Sequence, residues 1–101
     1  MKPLTIEHII KNSKPHHTSS WRGGNSRQFT ESIGDYLLSI VGGGVGLYGD
    51  FEENFEVALI DNTTGNFVTG KYSSRGDDVL GYATIEEINE VYFNIPRKSF
   101  S

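Results

Sequence analysis

The chain has 101 residues, no cysteine, 22% charged residues and a formal net charge of −4, which sizes it for one small globular domain. No disulfide framework or thiolate metal site is open to it, and no apolar run approaches the roughly 18 residues that a membrane span needs. Residues 1–50 hold five Lys and Arg against four Asp and Glu, whereas residues 51–101 hold four against nine, so the acidic second half is a poor surface for nucleic acid. The N-terminus lacks the charged start, apolar stretch and small-residue cleavage site of a secretory signal, and a cytoplasmic location is expected.

In chain order, residues 4–13 predict a short helix with Thr5 as N-cap and Leu4, Ile6, Ile9 and Ile10 as apolar surface. At about two turns, it needs packing to hold it. Residues 14–26 are polar, rich in Ser and Gly and without period, and are expected to form a flexible connector carrying Trp21. The domain division is therefore a helix plus connector over residues 1–26 and a single α+β domain over residues 27–101.

Gly34-Asp35 is a two-residue turn with glycine first, as a type II′ hairpin requires. The register follows from it: Ile33 faces Tyr36, Glu31 faces Leu38 and Phe29 faces Ile40 on the core side, with Ser32/Leu37, Thr30/Ser39 and Gln28/Val41 on the other. A second hairpin is expected between residues 55–60, with Phe55, Val57 and Leu59 on one face, and residues 67–72, joined by a turn at Gly65-Asn66. The loop over residues 73–83 then leads to a helix over residues 84–95. Thr84 and Glu87 form a capping box, Ile85, Ile88, Tyr92 and Ile95 make one stripe, and Pro96 stops it. The resulting fold is α+β: a four-stranded antiparallel sheet of two hairpins, with both helices packed on one face.

Glycine is in excess, at 12 of 101 residues against an average of roughly 7%. Gly44, Gly46 and Gly49 match the G-x-G-x-x-G of a dinucleotide-binding unit, flanked by two apolar strands. The spacing excludes that unit. A parallel crossover needs a dozen or so residues, mostly helix, and only residues 50–54 separate Gly49 from the second strand. Asp50, Glu52 and Glu53 would also stand where a pyrophosphate meets the positive end of a helix. No Gly-Lys-Ser/Thr follows, so there is no P-loop. The run is then a connection between antiparallel strands that tolerates positive φ, and as a loop on a rigid scaffold it is a candidate contact surface.

His16 and His17 are adjacent, so their side chains diverge in an extended chain, and with His8 they make no preformed metal site. There is no nucleophile elbow and no H-E-x-x-H, and the chain is not expected to be an enzyme or to carry a cofactor. Asp77 and Asp78 end a loop rather than form an acid/base pair. Arg75-Gly76-Asp77 is a three-residue match to an integrin-binding tripeptide without a secretion signal to support it. Glu86, Glu87 and Glu90 are accounted for by helix electrostatics.

Ser39-Ile-Val-Gly-Gly43, Phe55-Glu-Val-Ala58 and the segment from Asp78 through Val79, Leu80, Gly81 and Tyr82 to Ile88 resemble a pattern in small uncharacterised proteins of bacteriophages and mobile elements. The resemblance spans residues 29–95. It implies a phage origin and an accessory role, and it supplies no catalytic residues.

The function expected is that of an accessory protein that binds and inhibits a host protein, such as a defence enzyme. The expected contacts are Gly42, Gly43, Gly44, Gly46 and Gly49 through their backbone, with Tyr48, Asp50 and Phe51 beside them. Glu52 and Glu53 extend this surface, and Trp21 with Arg22 forms a second patch. Two alternatives are open: a protein that sequesters a small ligand or nucleotide through the glycine loop with help from Arg75 or Lys71, and a virion or self-associating structural component.

Overall fold

The computed structural model describes residues 2–15, 26–43 and 51–96. Helix α1 (Ile6–Lys11) is followed by strands β1 (Lys14–Pro15), β2 (Arg27–Ile33), β3 (Tyr36–Gly42) and β4 (Phe55–Asp61), a 3₁₀ turn (Thr69–Lys71), strand β5 (Leu80–Ala83) and helix α2 (Ile85–Asn94). The strands form one antiparallel sheet in the order β1-β2-β3-β4-β5.

The β2–β3 hairpin has the expected register throughout, from Ile33↔Tyr36 to Gln28↔Val41. Gly34 has φ 58° and Asp35 does not take a positive φ, as a II′ turn asks. The alternation sorts the side chains as the pattern implies. Phe29, Ile33, Leu38, Ile40, Phe55, Val57 and Leu59 are buried in a single core cluster. Ile9 of α1 and Ile88, Val91 and Ile95 of α2 and its C-cap complete that cluster, so both helices cover the same face of the sheet. Helix α1 thus packs into the shared core and strand β1 pairs with β2.

Local chemistry accounts for the helix ends. The Thr5 hydroxyl accepts from the His8 N–H at 3.1 Å, and the reciprocal Thr84–Glu87 capping box is formed. Each satisfies backbone donors that the first helical turn leaves open.

The sheet has five strands rather than four and departs from the expectation in three places: residues 67–72 are not a strand, whereas Lys14–Pro15 and Leu80–Ala83 are. At the start of the segment expected to pair with β4, only Phe67 bridges to Ile60 and the Val68 N–H donates to the Leu59 carbonyl at 2.8 Å. The buried Thr69 hydroxyl then accepts from the Leu59 N–H at 2.7 Å, so a side chain does the work of the next backbone carbonyl and the chain turns away. Gly70 makes that turn possible, because a Cβ there would lie 2.6 Å from the Gly76 carbonyl oxygen.

The rest of β4 is paired instead by β5, which falls in the segment expected to be a loop. Phe55 pairs with Ala83 and Val57 with Leu80, with a register irregularity between them. Gly81 and Tyr82 together stand opposite Glu56, and Tyr82 takes φ 53°, a bulge that permits Leu80 and Ala83 both to reach the core. At the other edge, Lys14 and Pro15 pair with Gln28 and Arg27. The Arg27 guanidinium fixes that junction by donating to the Ser13 hydroxyl at 2.6 Å and the Ser13 carbonyl at 2.7 Å. A two-residue strand ending in proline gives a neighbouring chain little edge to pair with.

Candidate functional site

The contact residues expected from sequence are only partly within the described residues. Gly44, Gly46, Tyr48, Gly49, Asp50, Trp21 and Arg22 lie outside them. Gly42 closes β3 and is buried, and Gly43 follows it, exposed, at φ 79°.

Phe51 is not a surface contact. It is 5% exposed, belongs to the core cluster and meets the Phe55 ring edge-on at 5.1 Å. Its N–H donates to the Asn54 carbonyl at 3.0 Å, and its φ is 59°. The residue is the apolar anchor of a tight turn into β4, and an aromatic beside glycines reads in sequence as an exposed loop residue only when that anchoring is not foreseen. Glu52 and Glu53 are exposed on this turn.

Arg75, proposed to help hold a phosphate, is already engaged. It reaches the Gly81 carbonyl at 2.9 Å, Glu87 at 3.4 Å and Asp77 at 3.5 Å. The Arg-Gly-Asp tripeptide is thereby folded on itself and tied to the helix cap, since Glu87 also accepts from the Thr84 N–H at 3.0 Å. Lys71 is exposed at the end of the 3₁₀ turn. Among the described residues no group of three or more His, Asp or Glu is placed to hold a metal ion, and no helix is long and apolar enough to cross a membrane.

The most distinctive surface is the face of the sheet turned away from the helices. Its positions run in rows across the strands: Ser32, Leu37 and Ile60 in one, Thr30, Ser39 and Ala58 in the next, and Gln28, Val41 and Glu56 in the third. Phe67 extends the first row through its bridge to Ile60 and is 52% exposed. Leu37, Ile60 and Phe67 form a continuous apolar row beside the two hairpin-end turns, which the Asn62 N–H joins by donating to the Asp35 carbonyl at 2.9 Å. Val41 is 7% exposed yet stands outside the core cluster.

Charge in these rows is confined to the third, where Glu56 stands at one end and Lys14, paired with Gln28, at the other. Most of the other acidic groups lie in the turns and on α2. A helix-free sheet face ordinarily alternates into polar, solvated side chains. An aromatic and two branched aliphatics in register are an exception with physical content. The sequence contained the signal: Leu37 and Ile60 lie out of phase with the core alternation of their own strands. Only the fold brings Phe67 beside them.

Comparison with protein-family models, with curated proteins and with solved structures finds no match.

Proposed function

We propose that the chain is a non-catalytic protein-binding module, an accessory protein of the bacteriophage kind that docks on a host protein and blocks it. The observation that carries this reading is the Leu37–Ile60–Phe67 row on the sheet face turned away from the helices. The aromatic and aliphatic side chains of that row are the kind that supply binding free energy in the centre of an interface. The occupant is an apolar, uncharged patch on a different protein.

The test is retention of bacterial proteins on the immobilised chain, compared among the wild type, Ile60→Lys and Phe67→Ser, with Glu86→Gln on α2 as control. The retained protein is then purified and its affinity measured. One species bound by the wild type and the control, and bound at least about tenfold more weakly by both face variants, is the expected result. No retention above bare resin, or equal affinity for all four chains, overturns it. A wild-type dimer in light scattering that Ile60→Lys dissolves would assign the face to a second copy and overturn it equally.

A further inference from the structure

On the opposite, core-side face a different residue is out of place. Glu31 lies in the middle of β2, between the buried Phe29 and Ile33 and across from the buried Leu38. A carboxylate in such surroundings must be hydrogen-bonded or paired. Tyr92 of α2 donates its hydroxyl to Oε2 at 3.0 Å, and among the described residues no cation forms an ion pair with Glu31.

Glu31 and Tyr92 line a cleft of about 350 Å³ with Lys2, Pro3, Leu4, Thr5 and His8, a volume at the lower end of the roughly 300–1,000 Å³ of small-molecule sites. Its wall is held in place. Asn89 of α2 accepts from the Leu4 N–H at 2.8 Å and donates to the Leu4 carbonyl at 2.9 Å, and Thr5 is fixed as the cap of α1.

The lining selects a charge pattern. The half-buried Glu31 and the lone pairs of the Tyr92 oxygen accept hydrogen bonds, Pro3 and Leu4 supply apolar contact, and the exposed Lys2 supplies a positive charge. Lys2 disfavours a simple cation here and Glu31 a simple anion. We infer that the cleft binds a small zwitterionic amine, its ammonium on Glu31 and Tyr92 and its anionic end toward Lys2. This site lies on the other side of the sheet from the docking face and stands independently of it.

The experiment is a heteronuclear NMR titration of the full chain with four probes: leucine, ε-aminocaproate, hexylamine and hexanoate. At least one zwitterion should give saturable shifts of the Leu4, Thr5, Glu31 and Tyr92 amides, with an affinity at least about tenfold above those of hexylamine and hexanoate. Glu31→Gln should weaken it by about tenfold or more with an unchanged thermal midpoint, and Lys2→Gln should bring it down to the level of hexylamine. Lys2 is exposed, so that second variant reports even where the first fails to fold. The inference is overturned if neither zwitterion gives saturable shifts up to about 20 mM. Equal binding of hexylamine, or undiminished binding by folded Glu31→Gln, overturns it as well.

Discussion

The two faces of the sheet follow opposite rules, and each contains one violation. The core face is apolar from Phe29 across to Leu59, with a carboxylate, Glu31, set in its middle. The open face is where charge is expected, yet it carries Leu37, Ile60 and Phe67 in a row, with charge at its strand positions only at Lys14 and Glu56. Neither violation helps the fold, since a half-buried carboxylate and a partly exposed apolar row both cost stability or solubility. The difference teaches that surface chemistry in this chain is not distributed for stability alone, and that both candidate binding sites lie where the sheet's alternation is broken.

Adjacent residues on β4 give the sharpest contrast. Leu59→Ala removes a side chain that is 0% exposed and should cost about 2–5 kcal/mol, whereas Ile60→Ala should cost about 1 kcal/mol or less. The midpoints of urea unfolding read both, and equal losses would mean that the open face is packed against something. Thr69→Val should cost about 1–3 kcal/mol, because it leaves the Leu59 N–H buried without an acceptor. A loss below that range in the same assay would show that water replaces the hydroxyl.

Removing the core-face violation should have the reverse sign. Glu31→Leu exchanges a carboxylate for an apolar side chain and should raise stability by about 0.5–2 kcal/mol, read as a later urea midpoint. A clear loss would instead make the Tyr92 hydrogen bond a structural necessity.

The smallest effect concerns Tyr36 at the rim of the core. Its phenol meets the Tyr72 hydroxyl at 3.4 Å, and this hydrogen bond, followed by burial and the charges of Tyr72, Asp61 and Asp35, pushes its pKa from 10.0 up to about 12. A raised folded-state pKa means that the contribution of the neutral phenol is fully present below pH 10 and is lost as the pH rises through about 12. Absorbance titration of phenolate should show one late-ionising tyrosine, and Tyr72→Phe should move that step toward lower pH.

How much of this was legible in the sequence depended on whether the determinant was local. A two-residue turn with glycine first pins every pair of the β2–β3 hairpin, and Thr84 with Glu87 marks the start of α2 to the residue. Strand β5 was illegible because its four residues include Gly81 and follow two aspartates, and its pairing rests on a bulge with Tyr82 at positive φ. The fate of residues 67–72 turned on a Thr69 hydroxyl replacing a carbonyl, which no propensity encodes. Glu31 could be placed opposite Leu38 on the core side from the register alone. Its meaning required Tyr92, 61 positions away, and Lys2, neither of which alternation can bring near.

The clamp of Asn89 on Leu4 joins residues separated by 85 positions, almost the whole length of the chain. The six residues of helix α1 are too few to persist without a partner. Its anchor on Asn89 is a long-range contact that forms only once α2 is in place. The cleft that Leu4 and Tyr92 border is therefore complete only when α1 and α2 have both docked on the sheet.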